Sequence, residues 1–449
     1  MLVDRLESYL EKMRTLPVAP ALDAEKIRNL ASTFDFNHPL GFEEALDHVL
    51  HGLNIWQVHT PHPGYYGLFN PRSLFPGIAG DMIAAVYNPQ LAAWSHSPFA
   101  NEVENHLIRS FGERFGYHTA DIDGNFTSGG AESNLTALLC ALNHRFPDYA
   151  QNGLGNITSK PVFYVSAEAH HSFVKAARAA GLGTNNLRMI RVDRDLKMDV
   201  SRLEEAIRDD IRNGFTPFMV ASTAGTTGAG VIDPLPEIEG ICRGYQLWHH
   251  VDAAYGGAAL LSDELAPFFT GLSDADSITF DAHKWLSVPM AGSLFITRRR
   301  RILEQTFRIT ADYMPKEAER MNIEDPYAHS LQWSRRFTGL KLYMSLLIFG
   351  WEGYAEILRK QTEMGNLLRR KLTGSGFTIY NQTPLPVILF GKEGYEHDEG
   401  VKSLCDKVLK SGVAWISVYN MQGLPTLRAC ITNYMTEEED LDMLLNELT

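Results

Sequence analysis

The segment Ser277-Ile-Thr-Phe-Asp-Ala-His-Lys-Trp285 sets a lysine just past an apolar run, with His283 before it and Trp285 after it. A lysine at the end of a buried strand is expensive to desolvate as a cation, which favours the neutral amine. A neutral amine is what Schiff-base chemistry needs. Taken alone, Lys284 reads as an ordinary surface residue. A second segment, His249-His-Val-Asp-Ala-Ala-Tyr-Gly-Gly257, shifts that balance. It puts Asp252 at the end of another strand, 284 − 252 = 32 positions earlier, room for one crossover between neighbouring parallel strands. An amine and an acid at adjacent strand ends suit pyridoxal phosphate. The lysine bonds its aldehyde carbon, and the aspartate keeps the pyridine nitrogen protonated so that the ring draws electrons.

Three shorter segments fit the same chemistry. Thr127-Ser-Gly-Gly-Ala-Glu-Ser-Asn134 opens an apolar helix with glycines, a start that lets backbone N–H groups approach a phosphate. It has neither a Walker pattern nor dinucleotide-fingerprint spacing. Ala167-Glu-Ala-His-His-Ser-Phe173 places His170 after a strand, where an imidazole can stack on an aromatic ring or move a proton. Ser222-Thr-Ala-Gly-Thr-Thr-Gly228 is a turn of small residues that admits a flat ring.

These segments need elements to position them. Between about 100 and 297, short apolar runs alternate with helical patterns. Strands are predicted over 162–166, 189–192, 218–223, 248–251, 277–280 and 293–297. Helices are predicted over 133–144, 171–180, 200–213, 235–245 and 263–270. Such alternation predicts an α/β fold with a mainly parallel sheet covered on both faces. Ligands of such sheets bind beyond the carboxyl ends of the strands. Further on, strand patterns at 378–380, 387–390, 413–419 and 426–431 precede a helix capped by Thr436 with Glu439 three residues later, an α+β domain. Leu2, Leu6, Leu10 and Met13 form an apolar helical stripe that must be covered by something. Residues from about 61 to 98 read as loops with a short helix near 76–87, and the apolar run 342–351 as a buried helix. The expected domains are an N-terminal segment 1–75, a large domain 76–345 and a small domain 346–449.

Composition bounds the function. With 41 Lys and Arg against 54 Asp and Glu, the net charge of −13 argues against nucleic acid as a partner. The cysteines Cys140, Cys242, Cys405 and Cys430 form no CxxC pair, so neither a metal site nor a disulfide framework is expected. Asp4, Arg5 and Glu7 stand where a signal peptide would be apolar, and no run is long enough to span a bilayer. A cytoplasmic protein without membrane partners is the expectation.

Taken in order, Ser128-Gly-Gly-Ala-Glu-Ser133, His170, Thr223 with Gly-Thr-Thr227, Val251-Asp-Ala-Ala254 and Asp281-Ala-His-Lys-Trp285 resemble the group II pyridoxal-phosphate-dependent amino acid decarboxylases. That family includes aromatic amino acid, glutamate and histidine decarboxylases, and the resemblance covers nearly the whole chain. It implies an aspartate aminotransferase-like fold, with a large domain built on a seven-stranded sheet, and a homodimer whose partner covers the N-terminal helix. It also implies roles. Lys284 bonds the cofactor, Asp252 meets the pyridine nitrogen, Ala254 and His170 flank the ring, and Thr223 lies beside it. Gly130, Ala131 and His283 contact the phosphate. Tyr65 and Tyr66, in Pro63-Gly-Tyr-Tyr-Gly67, and Arg428 match substrate-pocket positions, and Tyr313 matches the loop tyrosine that protonates Cα after carbon dioxide leaves. Two departures stand out. Gly130 and Ala131 replace the family's more frequent Ala-Ser or Ser-Ser. Asp281 stands where many relatives have Asn, an acid close to the expected phosphate.

The activity implied is decarboxylation of an L-amino acid. Tyr65, Tyr66 and Trp94 lean toward an aromatic substrate, while Arg428 keeps acidic ones open. The alternatives are a carbon–carbon lyase similar to sphingosine-phosphate lyases, an aromatic aldehyde synthase, and a non-catalytic cofactor-binding regulator. Tyr313 speaks against the aldehyde synthase, which in the resembled family accompanies Phe at that position, and the intact Lys284–Asp252 pair speaks against the regulator. Tyr313→Phe keeps the ring and removes the phenolic proton, so amine output should fall roughly a hundredfold. Aldehyde, ammonia and peroxide should appear in oxygen. Product analysis with and without oxygen checks this, and amine formed at the wild-type rate would exclude Tyr313 as donor.

Overall fold

The computed structural model describes residues 2–309, 321, 323 and 325–449. Tyr313 lies outside the described residues. The chain forms two compact units. The large unit holds Ser73–Thr362 and Asn381–Pro386. The small unit holds the residues up to Arg72 together with Glu363–Tyr380 and Val387–Thr449. The division therefore falls at 72/73 and, inside the long helix Gly339–Gly374, at 362/363, where the expected boundaries are 75/76 and 345/346. The N-terminal segment does not stand apart from the small unit. Val18 N–H donates to the Gly412 carbonyl at 2.8 Å, and the Arg14 guanidinium bonds the Asp440 carboxylate and the Met435 carbonyl.

In the large unit seven strands form one sheet: β1 (Asp123–Thr127), β2 (Lys160–Ser166), β3 (Leu187–Ile190), β4 (Phe215–Thr223), β5 (Trp248–Asp252), β6 (Ser277–Asp281) and β7 (Ser293–Thr297). Their order is β1-β7-β6-β5-β4-β2-β3, and only β7 runs antiparallel to its neighbours. The central strands β4, β5 and β6 are almost wholly buried because both faces are covered. Alternation along β2 and β4 sends Phe163, Val165, Met219 and Ala221 into a core with Leu138, Leu142, Phe173 and Trp248, and a register shift between the strands adds Phe218 to it. Val162, Tyr164 and Val220 enter the opposite core with Leu203, Ile207 and Ile238. Strand β1, Asp123-Gly-Asn-Phe-Thr127, is absent from the strands expected from the sequence and is held antiparallel against β7. Residues 263–270 form only a short 3-10 turn at Ala266–Phe269, where Pro267 is a poor helix interior residue.

The small unit carries a four-stranded antiparallel sheet, β10-β11-β9-β8, from β8 (Phe377–Ile379), β9 (Val387–Lys392), β10 (Ser417–Met421) and β11 (Leu424–Cys430). Helices Asp398–Ser411 and Glu438–Leu448 pack Leu404, Val408, Leu441 and Leu444 on Phe390, Leu427 and Ala429. The strand expected from 413 begins at Ser417, and Trp415 instead bridges to Tyr65. The last helix is capped one residue later than expected. Glu437 and Asp440 form the capping box, while the Thr436 hydroxyl donates to the Pro63 carbonyl at 2.8 Å.

Two helical surfaces remain open. The helix Leu2–Glu11 buries no residue, and Phe75, Val86 and Tyr87 on the helix Phe75–Tyr87 are exposed. The apolar run at 342–351 is not wholly buried as expected. Leu347 and Ile348 face outward just before Gly350, whose φ of +61° breaks the long helix.

A buried carboxylate fixes the end of β4. Asp233 accepts from Thr223 N–H and from Met198 N–H, both at 2.7 Å. Asp233→Asn would turn one acceptor into an NH2 group facing an N–H. We expect a loss of about 1–3 kcal/mol of stability, read from the urea midpoint at pH 7.

Candidate active site

Three parallel strands bring the first group of residues together. Thr223 pairs in register with Asp252, and Asp252 with Thr279, so the carboxyl ends of β4, β5 and β6 lie side by side. Just past β6 the chain turns, with Lys284 N–H donating to the Asp281 carbonyl at 3.1 Å. The turn folds the lysine back, and its Nζ lies 3.0 Å from Asp281 Oδ2. Lys284 is 20% exposed at its side chain and Asp281 2%. Burial pushes the Asp281 carboxyl up, but the Lys284 ammonium, and after it His283, outweigh that and hold it below the usual range. His283 is buried, its Nδ1 lies 3.3 Å from the Gly292 carbonyl oxygen, and burial lowers its imidazole against the pull of Asp281.

Asp252 is held from two sides. Ala254 N–H donates to Oδ1 at 3.1 Å, and Asn134 Nδ2 donates to Oδ2 at 2.8 Å. Asn134 was absent from the residues picked by sequence. It lies one turn into the helix Gly130–Arg145, where a buried Asn in an apolar helix was the available signal. A chain of bonds fixes its amide. Trp248 Nε1–H donates to Ser277 Oγ at 2.9 Å, and Ser277 Oγ meets His250 Nδ1 at 2.8 Å. His250 Nε2 meets Asn134 Oδ1 at 3.0 Å, and the Thr279 hydroxyl donates to the same oxygen at 2.8 Å. Burial lowers His250 to about 3, so its ring is neutral at pH 7. With Asn134 Oδ1 only accepting, the ring proton belongs on Nε2 and Ser277 donates to Nδ1.

The phosphate candidates follow β1. The helix Gly130–Arg145 starts after Gly129, and first-turn N–H groups have no intrahelical acceptor. Ser128 N–H and hydroxyl donate to Glu132 Oε2, and Gln332 donates to both Glu132 oxygens at 2.8 Å. Gly130 is sterically required, because a Cβ there would come 2.9 Å from Asp281 Oδ2 and 3.4 Å from the Ala254 methyl. His170 follows β2 and is exposed, its Nδ1 accepting from Ser172 N–H at 3.2 Å. Partial desolvation of its ring by the neighbouring residues lowers the imidazole, with Asp252 acting in the opposite sense. The Thr223 hydroxyl is buried without a hydrogen-bond partner among the described residues.

The other candidates belong to the small unit. Tyr65 contacts the Trp415 ring at 5.4 Å between centroids, and its hydroxyl bonds Asn70 at 3.1 Å. Tyr66 is fully enclosed in the small-unit core, so packing accounts for it rather than the pocket wall expected from the sequence. Arg428 is buried, donates to the Gly67 carbonyl at 2.6 Å and lies over the Phe69 ring.

An amine, an acid braced by an amide, an orphan hydroxyl and a glycine-lined helix start thus gather at the strand ends. They fit pyridoxal phosphate, with its aldehyde, ring nitrogen and phosphate, and they define a cofactor-dependent α/β enzyme class. The chain matches the pyridoxal-dependent decarboxylase conserved domain over residues 39–392, and it belongs to that family. It is 25% identical to an aromatic-L-amino-acid decarboxylase of Bacillus atrophaeus over 458 residues, spanning 99% of this chain and 93% of that one. It is 27% identical to tyrosine decarboxylase 2 of Narcissus pseudonarcissus, over 98% and 90% of the two chains. Among solved structures it is similar to Oryza sativa TDC with PLP and tryptamine, with a TM-score of 0.93 and 22% identity over 100% and 96% of the chains.

Asn134→Ala should strand Asp252 Oδ2, His250 and Thr279 together. Loss of a buried partner costs about 1–3 kcal/mol per orphaned group, so thermal unfolding should move down by several degrees. Because His250 is held below its unfolded value, its contribution to stability is present above pH 6.5 and is lost as pH falls toward 3. An Asn134→Ala chain with unchanged melting and unchanged cofactor retention on gel filtration would show that the relay is idle.

Proposed function

We propose that the chain converts an L-amino acid to its amine and carbon dioxide with pyridoxal 5'-phosphate as cofactor, an aromatic amino acid being the favoured substrate. The observation that carries this is the Lys284 amine at the end of β6 beside a braced Asp252 at the end of β5. When bound, the cofactor supplies an electron sink for cleaving a bond at the amino acid's Cα.

The chain's own residues do the rest. Lys284 holds the cofactor covalently. Asp252, oriented by Asn134 and the Ala254 amide, faces the ring nitrogen and keeps it protonated. The N–H groups of Gly130 and Ala131, with His283, take the phosphate, since a helix start favours an anion. Ala254 and His170 flank the ring, and the Thr223 hydroxyl gains a partner there. From the family resemblance, Tyr65 and Arg428 serve the substrate, and Tyr313 returns a proton to Cα.

The aromatic preference is supported by the names of the two curated relatives and by the aromatic setting of Tyr65. Arg428 is already engaged with Gly67 and Phe69, which weakens the case for an acidic substrate. We also propose a homodimer, supported by the exposed stripe of the first helix and by Val86 and Tyr87, each more than 80% exposed. A cytoplasmic location is supported by four free, buried cysteines. Among the described residues no helix is long and apolar enough to cross a membrane.

Two measurements test the reading. Borohydride reduction of the cofactor-loaded chain followed by peptide mapping should label Lys284. A panel of twenty carboxyl-labelled amino acids should release carbon dioxide from aromatic members first, and Lys284→Ala should release none. An adduct on another lysine would overturn the assignment of Lys284, and release only from acidic amino acids would overturn the substrate.

A further inference from the structure

The segment from Asp325 to Gly339 is strapped to the large unit by side chains three positions apart. His329 Nε2 lies 3.0 Å from Asp123 Oδ1 at the start of β1. Gln332 Nε2 donates to both carboxylate oxygens of Glu132, each at 2.8 Å. The Arg335 guanidinium pairs with the buried Glu104 carboxylate on the helix Pro98–Arg114. Before them, Asp325 Oδ1 accepts from Trp94 N–H at 2.7 Å. The Gln332 contact is the one that reaches the phosphate candidates.

Glu132 is the third residue of the helix Gly130–Arg145. A glutamate at that place commonly turns back and accepts from the N–H of the residue just before the helix, here Gly129. Glu132 does otherwise. Its Oε2 accepts from Ser128 N–H at 2.9 Å and from the Ser128 hydroxyl at 2.6 Å, one residue farther out. The Glu132 and Ser133 N–H groups go to the Gly129 carbonyl at 2.9 and 3.2 Å. Among the described residues no acceptor meets the three amides in between, Gly129, Gly130 and Ala131. These are the donors a phosphate needs, and Glu132 is an anion the helix itself carries within a turn of them.

We propose that Gln332 is a positioning residue for cofactor capture, which keeps the Glu132 carboxylate turned away from Gly129, Gly130 and Ala131 so that their amides stay open to the cofactor's phosphate. This role rests on the pyridoxal phosphate reading above. Without Gln332 the carboxylate loses two donated contacts, and the nearest unengaged backbone donors are those amides, which the helix dipole makes attractive to any anion. The chain's own acid then competes with the phosphate. An amide at position 132 still accepts from Ser128 but carries no charge to compete with. Loss of Gln332 therefore matters only while residue 132 is an acid.

The test titrates cofactor-stripped wild type, Gln332→Ala, Glu132→Gln and the double variant with pyridoxal 5'-phosphate and with pyridoxal, followed by visible absorption. Gln332→Ala should raise the dissociation constant of pyridoxal 5'-phosphate roughly tenfold, equivalent to about one charge-assisted hydrogen bond. Pyridoxal, which has no phosphate, should bind it as it binds wild type. Glu132→Gln and the double variant should bind pyridoxal 5'-phosphate as wild type does. The contacts of Asp325, His329 and Arg335 keep the strap in place, and melting of the stripped chains checks this. Gln332→Leu, which keeps the bulk, replaces Gln332→Ala should the latter not fold. Unchanged affinity in the Gln332 variant, equal weakening toward both ligands, or a double variant as weak as the single one overturns the role of Gln332 and leaves the cofactor reading standing. If wild type gains no visible absorption with pyridoxal 5'-phosphate, the cofactor reading fails, and the role of Gln332 with it.

Discussion

Three neighbouring parallel strands end level with one another, and that register governs what the large unit can do. Thr223, Asp252 and Thr279 stand opposite one another across β4, β5 and β6. A slip of one residue would turn Asp252 into the core and replace it at the strand end by an apolar neighbour. The helix Gly130–Arg145 contributes to both sides of this arrangement. Its first turn supplies the glycine-lined helix start, and its second supplies Asn134, which reaches Asp252. One rigid helix thus sets the spacing between the groups assigned to the phosphate and to the ring nitrogen.

The polar groups behind the site are buried in a way that makes them interdependent. The line Trp248, Ser277, His250, Asn134, Asp252 runs from the core to the strand end, with donors and acceptors matched along its length. Buried polar networks specify a single arrangement when every member is satisfied and are costly when one is missing. Asp233 acts in the same manner on the neighbouring strand, fixing the backbone from which the Thr223 hydroxyl extends.

Much of this was legible in the residues. The pattern over 235–245 and the helix Leu235–Tyr245 coincide, because Pro236 marks its first turn and Gln246 closes it in the left-handed region. The lysine and aspartate motifs carry their own context of strand, acid and small residues. What escaped has physical reasons. Strand β1 is written in turn residues and exists only because β7 pairs with it. Asn134 and Asp233 act through partners distant in sequence, Asp252 and Met198, which no local spacing can announce. The helix cap slid from Thr436 to Glu437 because the Thr436 hydroxyl is taken by Pro63, far away in the chain.

The two departures from the family pattern, Gly130 and Asp281, meet in space. A methyl group on residue 130 would press on the carboxylate of residue 281 at 2.9 Å. The two positions are therefore one steric unit: a Cβ at residue 130 and the carboxylate of residue 281 in its present place exclude one another unless the acid shifts, so a change at either position alters what the other tolerates.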